Sequence, residues 1–237
     1  MALLLQIGPL TARRAQNADD VSQCQRLRHL AFFGMDGLDS DEFDEYFDHI
    51  LIENAGELVA TFRSRMIVHS ELITDTYTGK FYQISGLSGP LIELGRLCLT
   101  PCPQGADVLR IIWAVIAQQV DAAQAQWLIG CSSFEGTEPA AYRDCFARLG
   151  ARYNVGKAIK ITPRAFETID LLRVNSGHDV AQKPMPSLLR SYLALGGKVG
   201  PSAVVDHQMG TIHLCTVVEI AAIPAARAAA LRALAAT

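Results

Sequence analysis

Apolar residues along the chain fall into short runs and alternations broken by Gly, Pro, Asn and Asp, and the period of each run predicts an element. LLLQIGPLTARRA reads as a strand, and DDVSQCQRLRHLAFF as a helix with Asp19 or Asp20 as its cap and acids in its first turn. HILIENAGELVATFRSRMI reads as two strands around a turn at Asn54 to Gly56. IELGRLCL, residues 92 to 99, is a strand, TPCPQGA a loop, and DVLRIIWAVIAQQVDAAQA a helix with apolar residues three and four apart. WLIGCSSF is a buried strand, and EPAAYRDCFARLG a helix ended by Gly150. The last third offers a short helix (SLLRSYLALGG), two strands (SAVVDHQM and HLCTVVEI) and an Ala-rich helical tail. No repeat and no long linker interrupts this order. The expectation is one domain over 1–237, with 166–237 extending the same sheet.

Composition narrows the class. With 237 residues, 50% hydrophobic and 19% charged, the chain can bury one sizeable core. A formal charge of −3 gives no basic footprint for nucleic acid. The six cysteines are scattered, with no CxxC and no histidine pair, so free thiols in a reducing cytosol are expected and no metal site. MALLLQIGPL lacks the positive start of a signal peptide, and no apolar run approaches the ~20 residues of a membrane span, so any membrane contact is expected to be peripheral.

Candidate chemistry concentrates where charge interrupts apolar runs. Glu93 and Arg96 flank Gly95 inside a strand, and three residues apart they would face opposite sides of a regular one. A bulge at Gly95 would bring them to one side. Arg63 ends the apolar run LVATF, where an unpaired charge is costly, so it needs a partner. Arg28 and Phe32 lie one helical turn apart, at a core edge or at a substrate. Six acids lie between Asp39 and Asp48, which as a run read either as a solvated loop or as a source of ligands such as Asp44, Glu45 and Asp48. From Arg143 to Arg164 six basic residues, Arg143, Arg148, Arg152, Lys157, Lys160 and Arg164, face a single acid, Asp144. His49, His207 and His213 read as structural histidines.

The segments LRHLAFF, FDEYFDHILI, ATFR, IELGRLCL, LIGCSSFEGTEP and LLRSYLALGGKVGPSAVVDHQ together resemble the bacterial L-ornithine N-alpha-acyltransferases, and Arg28, Phe32, the acids, Arg63, Glu93 and Arg96 are more distantly similar to acyl-homoserine lactone synthases. The resemblance implies an α/β GNAT-like acyltransferase fold, with a mixed central sheet, helices on both faces and a splayed, bulged central strand. It implies transfer of a 3-hydroxyacyl chain from acyl carrier protein to the α-amine of L-ornithine, with glutamine or another amino acid as a close variant and an inactive binding protein on the same fold as the contrasting reading. Catalysis then falls to Glu93, as base or as scaffold for Arg96. An oxyanion contact falls to the backbone near Leu97 or Cys98. Arg28, Phe32, Asp44, Asp48, Arg63, Ser132 and Ser133 would bind substrate, with Asp44 or Asp48 taking the ornithine side-chain ammonium and Arg63 and Arg96 organising the acids and the substrate carboxylate. The stretch CPQGAD departs from a coenzyme A pyrophosphate loop, with Asp107 repelling a diphosphate, whereas Arg143, Arg148, Arg152 and Lys157 suit an acidic carrier protein. No bound cofactor is expected beyond that acyl-carrier co-substrate. An amphipathic product places release at the inner membrane face.

Overall fold

The computed structural model describes residues 3–101, 104–177 and 181–236. Nine strands form one mixed sheet in the order β1-β2-β3-β4-β6-β7-β11-β10-β9, and β5 and β8 form a separate pair. The chain divides into two compact units, with boundaries after Met66, Glu93, Ala125 and Pro224, the second of them inside β6 (Leu91–Leu99).

The first unit holds β1 (Leu3–Ile7), β2 (Leu10–Arg14), α1 (Ala18–Phe33), β3 (Asp48–Asn54), most of β4 (Glu57–Ile67), the second half of β6, α3 (Gly105–Ala123) and α6 (Ala225–Ala235). LLLQIGPLTARRA is two antiparallel strands, because Gly8 turns the chain at φ 59° and Pro9 follows it. β1 to β4 form an antiparallel meander. The β3–β4 turn sits where the sequence predicts it, with positive φ at both Ala55 and Gly56. Asn17 caps α1, its side chain accepting from the Asp20 N–H at 2.9 Å. The cap is therefore neither Asp19 nor Asp20, since Asp20 is drawn to Arg13 at 2.9 Å. α3 is buried along Val108, Ile111, Ile112, Val115, Ile116 and Val120 and packs on β1, β2 and β3. Its other neighbour is α6, tied by Gln118 Nε2 donating to the Ala235 carbonyl at 2.8 Å and by Arg232 to Asp121 at 2.8 Å.

The second unit holds the start of β6 together with α2 (Tyr77–Phe81), β5 (Tyr82–Ser85), β7 (Trp127–Glu135), α4 (Arg143–Arg152), β8 (Lys160–Pro163), β9 (Thr168–Asp170), α5 (Ser187–Ala194), β10 (Lys198–Asp206) and β11 (Thr211–Glu219). β6 runs parallel to β7, pairing Leu91 to Glu93 with Trp127 to Ile129. β11 pairs antiparallel with β7 over its whole length and with β10 on its other side. Successive side chains of a strand face opposite ways, so Cys215 and Val217 enter one apolar cluster with Trp127 and Ile129, while Ile212 and Leu214 enter another with Phe134, Phe146 and Leu149. β11 is buried almost throughout because both its faces are covered. Gly150 does not end α4, which continues to Arg152; a Cβ on Gly150 would lie 2.2 Å from the Leu171 carbonyl oxygen, so close backbone approach explains this glycine.

The irregularity in β6 also falls elsewhere than expected. The left-handed residue is Arg96, at φ 54°, whereas a Cβ on Gly95 would meet only Arg63 atoms at 3.6 Å and beyond. Gly95 is thus not held to glycine by space. The backbone excursion is carried by a residue whose side chain is anchored by two acids, as the site geometry makes plain.

Candidate active site

In the first unit three arginines and three aspartates form one buried network. Arg28 reaches it from α1, Arg63 from β4 and Arg96 from β6, while Asp39, Asp41 and Asp44 come from the segment after α1. That segment is folded back by Gly34, which caps α1 at φ 69°, and by Asp39 N–H donating to the Gln25 carbonyl at 3.1 Å. Arg28, 1% exposed, donates Nε to Asp39 at 2.8 Å, Nη1 and Nη2 to the two oxygens of Asp44 at 3.0 and 2.8 Å, and Nη2 also to the Asp39 carbonyl. Arg63, also 1% exposed, donates Nη1 to Asp44 at 2.5 Å and grips Asp41 through both terminal nitrogens at 2.6 and 2.8 Å, with its guanidinium 4.7 Å above the Phe47 ring. Arg96 donates Nε to Asp39 at 2.8 Å and Nη2 to Asp41 at 3.0 Å. Planar guanidinium groups can bridge acids in this way; a lysine ammonium cannot reproduce the fork.

Electrostatics follow from this arrangement. Burial alone would raise the Asp44 carboxyl, but the hydrogen bonds and charge of Arg28, the Gln25 amide and the Arg63 charge outweigh it and hold Asp44 well below the ordinary carboxylate value. Asp41 is likewise lowered, burial being outweighed by Arg63 and Arg96. His49 Nε2 lies 3.0 Å from the Asp44 carbonyl oxygen, and burial, aided by the charges of Arg28 and Arg63, lowers its pKa despite Asp44.

These contacts revise several sequence expectations. Both Asp44 oxygens accept from Arg28, Arg63 or Gln25, so Asp44 serves the network. Asp48 lies outside the network, 44% exposed and 3.2 Å from Arg14. Arg28 and Phe32 part company, since Arg28 is buried in the network and Phe32 is exposed. Asp39 and Asp41 belong to the acidic run but were not singled out by sequence. The available signal was a count: three arginines at apolar positions need several anions, and the nearest run supplies them.

In the second unit Glu93, 1% exposed, accepts on Oε1 from the backbone N–H of Thr78 at 2.6 Å and from its hydroxyl at 2.5 Å. Thr78 is fully buried and accepts in turn from Cys131 Sγ at 3.9 Å. Nothing in the sequence flags Thr78, fifteen positions away from Glu93 and uncharged. Ser132 is buried and accepts from Thr216 at 2.9 Å, whereas Ser133, next along β7, is exposed, so the two do not share a face. His213 is structural, packed edge-on against Phe81 and Tyr82, whose hydroxyl lies 3.2 Å from its Nδ1. Burial pushes the Cys98 thiol up to about 12 and raises Cys24 and Cys215 as well, so these thiols are poor nucleophiles.

On α4, Arg148 and Arg152 line an open groove of roughly 670 Å³ with Val174, Asn175 and Ser176. Both arginines and Lys157 are exposed, while Arg143 is half-buried against Gly177. At the start of α3, Asp107 pairs with Arg110 at 3.2 Å, and Cys102 of the CPQGAD stretch lies outside the described residues. Among the described residues no group of His, Cys, Asp and Glu side chains is arranged to hold a metal ion, and no helix is long and apolar enough to cross a membrane.

Comparison with known proteins agrees with this architecture. Residues 28–114 match the family model of the acetyltransferase (GNAT) domain. The L-ornithine N(alpha)-acyltransferase of Rhodobacter capsulatus is 29% identical over 84% of this chain and 85% of its own, and that of Brucella abortus 26% identical over 92% and 87%. The apo structure of TofI superposes with a TM-score of 0.51 at 14% identity, covering 95% of this chain and 98% of that one. The mixed nine-stranded sheet and the matched domain agree on a GNAT fold, and over most of its length the chain is similar in sequence to the L-ornithine N(alpha)-acyltransferases.

Proposed function

We propose that this protein transfers a 3-hydroxyacyl chain from the phosphopantetheine thioester of acyl carrier protein to the α-amine of an amino acid, L-ornithine by preference. The observation that carries the reading is the likeness to L-ornithine N(alpha)-acyltransferases over most of both chains. Glu93 supplies the chemistry. An amine attacks a thioester only when neutral, and a carboxylate held by two donors is a fixed proton acceptor for it, directly or through a water. No acyl-enzyme intermediate is needed. The arginine–aspartate network holds the strand that carries Arg96 in its left-handed turn, next to the backbone near Leu97 and Cys98 proposed for the oxyanion. For the donor, the exposed basic groove of Arg148 and Arg152, with Lys157, suits the acidic surface of a carrier protein, and Asp107 disfavours a coenzyme A diphosphate at the start of α3.

One observation favours a broader acceptor range. The acids expected to receive the ornithine ammonium are engaged elsewhere, Asp44 by two arginines and Asp48 by Arg14. A neutral side chain such as that of glutamine is therefore the second reading. Purified protein incubated with 3-hydroxyacyl carrier protein and each amino acid in turn, with products identified by mass spectrometry, decides between them. Acyl-ornithine as the main product supports the first reading, acyl-glutamine the second, and no acylated amine from any donor removes both. Glu93→Gln is expected to lower turnover by about 10²-fold or more while the fold is retained.

A further inference from the structure

We infer that Thr78 is a positioning residue that selects which oxygen of Glu93 receives the proton, so that Oε2 carries it during acyl transfer. The inference rests on the reading of Glu93 as base. Its geometry is independent of any substrate. Oε1 accepts two donors from one residue, the Thr78 N–H at 2.6 Å and the Thr78 hydroxyl at 2.5 Å. The amide cannot exchange its role, because a backbone N–H only donates. The hydroxyl has a single proton, and Cys131 Sγ occupies its acceptor side at 3.9 Å, which turns that proton toward Glu93. A proton arriving on Oε1 would leave buried donors without their acceptor; one arriving on Oε2 leaves both bonds in place.

Thr78 is itself fixed from below. It lies in the first turn of α2, where its N–H has no partner within the helix and is available to Glu93. Thr76 locks that turn by donating its hydroxyl to the Ile73 carbonyl at 2.8 Å and accepting from the Gly79 N–H at 3.1 Å. The amine nitrogen bonds to the thioester carbon, its surplus proton passes to Oε2, the carbon–sulfur bond breaks, and the departing sulfur takes the proton, which restores the carboxylate and yields an amide and a pantetheine thiol.

Thr78→Val removes the hydroxyl donor at nearly constant volume and keeps the amide, while Thr78→Ser keeps both donors. With 3-hydroxyacyl carrier protein and ornithine, the Val variant is expected to lose about tenfold in kcat with little change in KM, the scale of one charge-assisted hydrogen bond. The acid limb of its kcat/KM against pH is expected to move up by about one unit, because a carboxylate that loses a donor holds its proton more tightly. Ser should restore both properties, which a purely packing role would not require. A folded Val variant with wild-type kcat and an unmoved acid limb overturns the inference, as does a Ser variant as impaired as Val. If Val does not fold, Thr78→Ala, which cannot overpack the site, is judged by the same two readouts. Glu93→Gln run in parallel separates the two ideas: near-normal turnover there overturns the base assignment and the role of Thr78 with it, whereas an inactive Gln variant beside a normal Val variant overturns only the positioning role.

Discussion

Asp44 shows how much one side chain can hold together. Its two oxygens receive Arg28, Arg63 and Gln25, so Asp44→Asn would leave two buried guanidinium groups short of charge. Removing one partner from a buried ion pair typically costs about 3–5 kcal/mol, and urea unfolding is expected to show a loss on that scale. A loss below about 1 kcal/mol would mean that the neighbouring Asp39 and Asp41 compensate. Acid should act in the same direction. Asp44 and Asp41 are held below the ordinary carboxylate value of 3.8, so their contribution is present above that pH and is lost as pH falls through their folded values. His49, facing Asp44, Arg28 and Arg63, is held below the ordinary 6.5, so protonation favours the unfolded chain as pH falls past that value. Stability measured against pH should therefore decline first from near 6.5 and more steeply below 3.8. A flat profile over that range would contradict the network as described. The sequence made Arg63's need for partners legible, since it ends an apolar run. It did not disclose which acids answer it, because Asp41 and Asp44 reach Arg63 only once α1 and the loop after it have folded back.

Among the elements, strands and long helices were readable because their apolar periods are local, and the β3–β4 hairpin because Asn-Ala-Gly is local turn chemistry. Short turns were not. Gly8-Pro9 was absorbed into one apolar run, and α2, five residues long, has too few turns to show a period. Glycines were legible by type but not by reason: Gly95 attracts attention by lying between charges, yet it has room for a Cβ, and Gly79 does not. A Cβ on Gly79 would fall 1.8 Å from the Ile73 carbonyl oxygen, whereas on Gly95 the nearest atom is 3.6 Å away. Gly79→Ala is thus expected to displace α2 and with it Thr78, lowering both melting temperature and turnover, by about 1–3 kcal/mol in stability for a side chain forced into a packed site. Gly95→Ala should fold with a near-normal melting temperature. Equal melting temperatures for the two variants would show that α2 yields without consequence.

For the whole molecule, charge is distributed unevenly against a formal total of −3. Of the basic residues of α4, Arg148 and Arg152 are exposed and border the same groove. Changing both to Glu is expected to weaken use of acyl carrier protein, most strongly at low salt, and to leave a small pantetheine thioester almost unaffected. Equal loss with both donors would point to damage of the fold in place of docking. The path of the chain has a consequence of another kind. α3 meets α6 through Gln118 with Ala235 and Asp121 with Arg232, partners 117 and 111 residues apart. On the ribosome, where elongation runs at about 5–20 residues per second, α3 emerges roughly 5–25 s before the helix that covers it. During that interval α3 presents an uncovered helical face, and completion of the first unit is timed by synthesis of α6.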